Sequence, residues 1–337
     1  MKSIGVSATG IALIVLFASS TRAQMDAIQA SSGKRAAAEA FPTKPIRLIV
    51  PAAAGGGSDI LSRILGQKIT ESFRQQVVVD NRAGAGNIIG TNIAAKSPPD
   101  GHTLLMVATT HAINVSLVSK LPYNSVRDFT AVTLCASAPY LLVVNPSLPV
   151  KSVKELIALA KAKPGQLNYG QGGNGTPPHL AAELFKSMAK LNIAGIPYNG
   201  GGLAIAATLA GEVHMTFGVI PAAVPFVKAG KLTGLGVSSL ERSGLIPELP
   251  TIAEAGIPGY EAIAWYGILA PARTDAAIVN KLDQVIKRIL QIAEVKERLA
   301  GLGFEPIPTT PEKFAAYIES EIPKWARVVK DANVHLD

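Results

Sequence analysis

The chain of 337 residues contains a single cysteine, few aromatic residues (5%) and few charged residues (17%). One cysteine cannot build a disulfide framework, and a hydrophobic content of 48% excludes an intrinsically disordered chain. The sequence also lacks the repeated apolar runs of about 18 residues that a polytopic membrane protein needs. At about 100 to 200 residues per domain, the length predicts two folded domains with a sizeable core.

Signature motifs of common enzymes and cofactor sites are missing as well. The sequence has no G-x-S-x-G elbow, no H-E-x-x-H, no P-loop and no cysteine and histidine cluster with metal-ligand spacing. Residues 84–90 (GAGNIIG) have a glycine spacing similar to that of a dinucleotide-binding motif. However, residues 80–83 separate them from the preceding strand, and no acidic residue is placed convincingly to bind a ribose hydroxyl. We therefore predict no cofactor and no metal.

The basic charge is not arranged for binding nucleic acid. The formal net charge is +8, but the lysines and arginines form no cluster and few aromatic side chains are available to stack on bases. We predict no nucleic-acid partner. A cationic exported protein can still favour small anionic molecules.

The first 23 residues have the parts of a secretory signal peptide. Lys2 precedes the apolar stretch 11–17, and the small-residue run 18–23 ends at Ala23, after which we expect cleavage. The alternative is a membrane anchor, but the apolar stretch is too short to span a bilayer. Residues 24–40 are small and polar and predict a flexible spacer.

From Phe41 onward, short β-branched runs alternate with helical patterns, which is typical of parallel βαβ units. The first part of the chain predicts strands at residues 46–50, 77–79 and 103–107, with helices after the first and second strands. A second α/β set begins near Tyr140. Its predicted strands lie at residues 141–144, 167–169, 196–198, 215–217 and 235–237.

Capping signals place several helices. Ser152 opens an S-x-x-E capping box, Thr176 precedes Pro177 at a helix start, and Thr251 begins a second capping box. After a predicted strand at residues 264–270, two long helices are expected at about 274–290 and 310–330.

Two passages of the chain between these α/β sets, near residues 134–144 and 260–271, predict a two-strand hinge. The first lobe is then residues 41–138 plus 264–337, and the second lobe is residues 139–263.

Three glycine-rich segments follow predicted strands, at residues 52–59, 83–87 and 172–176. Ligands bind at the carboxyl ends of strands in open parallel sheets, where helix N-termini offer free N–H groups to an anion. Each segment alone could be only a tight turn. The three together predict an anion site without a buried arginine.

Several single residues leave two interpretations open. Asp59 either interacts with the positive end of the helix dipole or accepts a hydrogen bond from an amino or hydroxyl group of a ligand. His111 and His179 could line a cleft, although a structural role is favoured, and Cys135 is expected to be a buried structural thiol.

Ordered motifs then span nearly all of the chain from Phe41 onward. They include F-P-x-K-P-I-R-L-I-V-P (41–51), G-G-x-x-D (55–59), V-V-D-N-R-x-G-A-G (78–86), P-D-G-H-T-L-L (99–105), N-Y-G (168–170), P-Y-N-G (197–200), A-G-K-L (229–232), P-T-x-x-E-A-G (250–256) and P-G-Y-E (258–261). This set resembles the substrate-binding receptors of tripartite tricarboxylate transporters, the Bug receptor family.

The resemblance implies a two-lobed fold like that of periplasmic binding proteins, with a mainly parallel sheet flanked by helices in each lobe and a ligand cleft between the lobes. It implies a periplasmic location, a small carboxylate ligand, such as a dicarboxylate, an aromatic acid or an acidic amino acid, and membrane permease subunits as partners. By motif, the ligand-binding residues would be Ala54, Gly55, Gly56, Gly57, Ser58, Asp59, Gly84, Ala85, Gly86, Asn87, Thr109, Thr110, Gly172, Gly173, Asn174, Thr176, His179, Tyr198, Asn199 and Gly200.

The sequence departs from the family pattern in both loops of the first lobe. Alanines occupy positions 52–54, where the family usually has an aromatic residue and prolines, so the pocket mouth could be wider. In the second loop Ala83 replaces a proline and Asn87 replaces a glycine. The expected receptor is monomeric and not an enzyme. The alternatives are a ligand-dependent partner of a sensor's extracytoplasmic domain and, less favoured, an exported hydrolase using Ser58 or His111.

Overall fold

The computed structural model describes residues 39–334. The expected signal peptide and nearly all of the expected spacer lie outside this range, as does His335. Within it, none of the helices is both long enough and apolar enough to cross a membrane.

The N-terminal part of the described chain alternates strands and helices. The elements are β1 (Ile46–Val50), α1 (Gly57–Phe73), β2 (Val77–Asn81), a 3₁₀ turn (Ala85–Asn87), α2 (Ile88–Ala95), β3 (Thr103–Ala108), α3 (Thr110–Leu117) and the long strand β4 (Phe129–Val144). β1 pairs in parallel with β2 and β3, as β-branched runs joined by amphipathic helices predict.

The middle of the chain forms a second α/β unit. Its elements are α4 (Val153–Ala162), β5 (Asn168–Gln171), α5 (Pro177–Ala189), β6 (Ala194–Pro197), α6 (Gly201–Ala210), β7 (Met215–Val219), α7 (Ile220–Lys228) and β8 (Thr233–Val237). β5 pairs in parallel with β6 and β7.

The C-terminal part returns to the first unit. Its elements are β9 (Ile263–Pro271), α8 (Ala276–Gln291), α9 (Ala293–Gly301), β10 (Glu305–Pro306) and α10 (Pro311–Asp331). β9 lies between β3 and β4 and is antiparallel to both. The sheet order is β2-β1-β3-β9-β4-β7-β5-β6, and β8 and β10 also pair with β4.

β4 belongs to both lobes. Its first residues, up to Pro139, pair with β9, and its last residues, from Tyr140, pair with β7 and β8. Ser238 links Tyr140, where β4 passes from one lobe to the other, to Ala262, which directly precedes β9. Its hydroxyl donates to Ala262 O (2.5 Å) and accepts from Tyr140 N–H (2.8 Å), and its backbone bonds to the same two residues. The two passages between the lobes are therefore tied together by one buried serine.

The core covers both faces of the sheet. In α1 the apolar side chains recur at helical spacing, so Leu61, Leu65 and Ile69 face inward together. At the crossing, the buried carboxylate of Glu321 on α10 accepts the indole N–H groups of Trp265 (3.0 Å) and Trp325 (2.7 Å). This arrangement fixes the C-terminal helix to β9.

The predicted fold class, strands and long helices are confirmed, with two differences at predicted helix caps. Thr176 is the N-cap residue of α5, but its hydroxyl donates to Gly173 O (2.8 Å) instead of capping the helix. The box of Thr251 and Glu254 forms reciprocal hydrogen bonds around a turn and starts no helix. The lobe limits stay a prediction. Pro139 and Ile263, which form the last pair of the β4–β9 register, support them.

Candidate ligand-binding site

The topology brings the glycine-rich segments of both lobes to the crossing strands. In the first lobe β1, β2 and β3 run in one direction and end at the edge where β4 passes Pro139. In the second lobe β7 ends at Val219, which pairs with Tyr140, and β5 and β6 run parallel to β7. The carboxyl ends of both sets of strands therefore lie at the junction of the lobes, and we call this region the cleft.

Helix starts differ between the cleft and the far edges of the lobes. The helices that follow strand ends at the cleft (α1, α2, α3, α5, α6 and α7) have no side-chain hydrogen bond at the N-cap. By contrast α4, α8 and α10 start away from the cleft and are capped by Ser152, Asp275 and Thr310. α5 begins with Pro177 and Pro178, and Pro221 is the second residue of α7, so these two helices offer fewer N–H groups. The other first-turn N–H groups at the cleft have no side-chain acceptor at the N-cap, and each helix adds the positive end of its dipole.

The first loop, at residues 52–56, is shaped by Asp59. Its Oδ2 accepts the Gly55 N–H (2.9 Å) and the Arg63 Nε–H (3.0 Å), and Arg63 Nη2 lies 2.9 Å from Oδ1. Arg63 also donates to Asn81, whose amide donates to Ala52 O (3.1 Å). The buried Asp59 carboxylate thus sets the shape of the loop, and its expected contact with a ligand stays a prediction.

Burial by itself raises the pKa of Asp59. Hydrogen bonds from Arg63 and from the Gly55 N–H outweigh that effect, so the pKa lies below its ordinary value of 3.8. The group is therefore a carboxylate at neutral pH. Its negative charge is matched by Arg63, so it does not oppose an anion at the start of α1.

The second loop, at residues 84–87, is left-handed throughout. Gly84, Ala85, Gly86 and Asn87 all have positive φ, and Asn87 lies at φ 77°. Asparagine adopts this conformation more readily than other non-glycine residues, which explains how it replaces the glycine usual in the family. Its amide donates to Thr110 Oγ1 (2.7 Å) and so joins two predicted site residues.

Asn114 on α3 also holds this loop, although the sequence interpretation did not include it. Its amide donates to Gly86 O (2.7 Å). No short motif marks Asn114, because it lies 28 residues from Gly86 along the chain.

Thr109 has a different environment from the other predicted residues. Its side chain is fully buried, accepts the Trp265 N–H (3.0 Å) and donates to Ile263 O (3.3 Å). Its hydroxyl therefore holds β9 and does not face the cleft, and only its backbone stays a predicted ligand contact.

In the second lobe, His179 fixes the loop at residues 172–176. Its Nδ1 accepts the Gly175 N–H (3.0 Å), and its ring stacks on Tyr169. Burial lowers the pKa of His179, so the imidazole is neutral at neutral pH. Asn174 in the same loop accepts the Gln171 amide (2.7 Å).

The segment at residues 198–200 lies against this loop. A Cβ on Gly172 would lie 2.7 Å from Gly201 N, so the close contact of the two segments requires glycine there. Tyr198 N–H donates to Gln171 O (2.8 Å), whereas the Tyr198 hydroxyl donates to Glu212 (3.4 Å). The exposed Asn199 and the half-buried Gly200 continue to the start of α6.

Tyr266 on β9 is a cleft residue that no local pattern predicted. It pairs with Ala108 at the end of β3, and its ring packs edge-on against Phe304. Gly303, next to Phe304 in the chain, lies against Pro221 at the start of α7. Tyr266, Phe304, Gly303 and Pro221 therefore form a continuous set of contacts between the two lobes. Burial raises the pKa of Tyr266 to about 12, so its hydroxyl stays protonated and can donate a hydrogen bond.

His111, one of the two residues considered for catalysis, has its ring engaged by the backbone. His111 is buried with its Nε2 2.9 Å from Ser125 O, and burial lowers its pKa to about 4, so it is a poor base at neutral pH. Cys135 is buried in β4, as expected, and burial raises its pKa. Residues 39–334 contain no group of three or more His, Cys, Asp or Glu side chains that could hold a metal ion.

Comparisons with known proteins agree with this geometry. A family model described as "Tripartite tricarboxylate transporter family receptor" matches residues 61–334. The protein BugT of Bordetella pertussis is 37% identical over 301 residues, which are 89% of this chain and 92% of BugT.

Two solved structures share the fold at appreciable identity. The R. palustris protein Rpa4515 with adipate has a TM-score of 0.73 and 35% identity, covering 88% of this chain and 99% of that one. MatC (Rpa3494) from Rhodopseudomonas palustris with bound malate has a TM-score of 0.69 and 32% identity, covering 86% of this chain and 100% of that one.

Proposed function

The chain belongs to the tripartite tricarboxylate transporter receptor family, and we propose that it binds a small carboxylate between its two lobes in the periplasm and delivers it to a membrane permease. The contrast between helix starts carries this proposal. Among residues 39–334, six helices begin at the cleft without a side-chain cap, and the three that begin on the far edges after strands are capped. Apart from Pro177, Pro178 and Pro221, which have no N–H, the first-turn residues of these helices can donate to an acceptor from outside the chain.

A carboxylate suits these groups better than a metal or a neutral ligand. Its two oxygens accept several N–H donors at once, and its charge interacts favourably with the helix dipoles. Relatives with adipate and malate support the same ligand class. A ligand that touches both lobes would favour the closed arrangement, because only that state offers both sets of contacts.

The test is a thermal-shift screen on protein freed of any carried-over ligand by unfolding and refolding. Each carboxylate is paired with its uncharged amide as a control of similar shape. At about 100 times its Kd, the bound carboxylate should stabilise the fold by about 2.7 kcal/mol, and its amide should not. The proposal fails if no carboxylate shifts the transition of correctly folded protein.

Binding without turnover separates a receptor from the hydrolase alternative. After incubation with equimolar protein, mass spectrometry should recover the ligand unchanged. A product whose formation stops in Ser58→Ala would instead favour hydrolysis.

Delivery to permease subunits requires its own measurement. Uptake by vesicles that contain the permease should depend on added receptor. Ligand-dependent binding to a sensor's extracytoplasmic domain, without receptor-dependent uptake, would instead favour a signalling role.

A further inference from the structure

Large apolar side chains are exposed where the cleft segments meet their helices. Leu203 in the first turn of α6 is 54% exposed, Ile89 in the first turn of α2 is 48% exposed, and Val219 at the end of β7 is 46% exposed. The other four β7 residues are buried, so Val219 is the point where that strand emerges into the cleft.

The positions of these side chains relate them to the proposed carboxylate site. The Cδ1 atom of Ile89 lies 2.6 Å from the point where Gly84 would carry a Cβ, so Ile89 covers the second loop. Leu203 follows Gly201, which touches Gly172 in the loop of the second lobe. Val219 pairs with Tyr140 at the crossing, and it lies two residues before Pro221, which contacts the first lobe at Gly303.

The second lobe offers this edge no cationic side chain. Residues 172–176, 198–203 and 219–221 contain neither lysine nor arginine. His179 is turned to the Gly175 N–H. Arg242, in the segment after β8, is held by Glu254 at 2.9 Å. Within the described part of the second lobe, these segments therefore offer backbone N–H groups, the uncharged polar side chains of Asn174, Thr176, Tyr198 and Asn199, and apolar surface.

From this combination we infer that the ligand is a carboxylate with an apolar body, an aliphatic chain or an aromatic ring, which Ile89, Leu203 and Val219 cover when the lobes close. The inference rests on the proposed function and narrows its ligand class. The alanines at positions 53 and 54, both exposed, leave room at the same mouth for such a body. A second carboxylate at the far end is compatible with the uncapped start of α6, whereas a hydroxyl or ammonium group on the body would lose its hydration against the apolar side chains of Ile89, Leu203 and Val219.

The test uses matched ligands on refolded protein, measured by isothermal titration. Succinate and adipate differ by two methylene groups, succinate and malate differ by one hydroxyl, and benzoate supplies a ring. Each buried methylene group should raise affinity about fourfold, so adipate should bind more tightly than succinate. Malate should bind more weakly than succinate.

Variants of the apolar residues test the assignment to this surface. Leu203→Ser and Val219→Ser should each weaken the tightest of the apolar ligands about tenfold, because part of the buried apolar contact is lost. Both side chains are exposed, so the variants should fold. Met188→Ser is the matched control, since Met188 is an exposed apolar residue at the opposite end of α5 from the cleft, and it should bind like the parent protein.

The outcomes distinguish failure of this inference from failure of the proposed carboxylate-receptor function. If malate binds more tightly than adipate and benzoate, the proposed carboxylate receptor is retained and the inference of an apolar ligand body is wrong. Unchanged affinities in both cleft variants would also overturn the inference. If none of the acids binds, the proposed function itself fails.

Discussion

The hydroxyl of Tyr266 lies 2.7 Å from the point at which Gly57 would carry a Cβ atom. Gly57 is the first residue of α1, and Tyr266 belongs to β9, one of the two passages between the lobes. A tyrosine on the hinge therefore reaches the helix start where we propose a carboxylate binds. The contact requires that Gly57 has no side chain.

Gly57→Ala should weaken carboxylate binding, because the new methyl group displaces the Tyr266 hydroxyl from the start of α1. Forcing one extra methyl group into such a contact also lowers the free energy of unfolding by about 1 to 3 kcal/mol. Gly244→Ala is the control, since nothing lies within 4 Å of its Cβ position and Gly244 is not among the predicted ligand-binding residues. Titration calorimetry of both variants measures the difference.

The double variant Gly57→Ala with Tyr266→Phe tests whether the two residues act through this contact. Removing the hydroxyl should recover part of the loss of stability caused by Gly57→Ala, measured by denaturant unfolding. Additive effects of the two substitutions would show that they are not coupled.

Two substitutions at Asn87 should have different effects on the second loop. Asn87→Gly loses the hydrogen bond to Thr110 but accepts the positive φ, whereas Asn87→Ala loses the bond and strains the backbone. The alanine variant should therefore be less stable than the glycine variant by about 1 to 2 kcal/mol. Denaturant unfolding of the two variants checks this, and equal stabilities would contradict it.

The contribution of Asp59 should depend on pH. Because its pKa is lower in the folded chain than its ordinary value of 3.8, its carboxylate stabilises the fold above pH 3.8. This stabilisation is lost as the pH falls through the lower, folded-state pKa. The gap in unfolding free energy between the parent protein and Asp59→Asn should therefore close at acidic pH. A gap that does not change with pH would show that the charge is unimportant.

Ser238→Ala should destabilise the crossing between the lobes. It would leave the Tyr140 N–H and the Ala262 carbonyl without the hydroxyl that joins them, at a cost of about 1 to 3 kcal/mol. Ser239→Ala is the comparison, because that neighbouring hydroxyl bonds only within its own turn. Urea unfolding should show the larger loss for Ser238→Ala, and equal losses would argue against a special role of Ser238.

The sequence predicted most strands because they are β-branched runs bounded by turn residues. It did not predict that β4 extends from Phe129 without interruption, since residues 130–138 are mostly small and their strand conformation depends on pairing with β9, about 130 residues away. It also did not predict α9, which follows α8 directly and has no capping residue.

At the candidate site too, features that depend on local sequence were predicted, and features that depend on distant contacts were not. The glycine-rich loops were evident because positive φ and close approach restrict the residue type locally. The roles of Asn114 and Tyr266 depend on contacts with distant segments, and no local pattern reports them. The hydrogen bonds of the Thr109 hydroxyl to β9 could not be predicted for the same reason, since a threonine after a strand looks alike in sequence whether its hydroxyl faces a ligand or a neighbouring strand.

Cys135 has a practical consequence because it is the single thiol of the chain and is completely buried. A maleimide dye reacts with exposed thiolates, so it should leave the parent protein unlabelled. A cysteine introduced at the cleft mouth, such as Ala54→Cys, would then be the one labelled position. The chain is thus ready for conversion into a fluorescent sensor that reports occupancy of the cleft in real time.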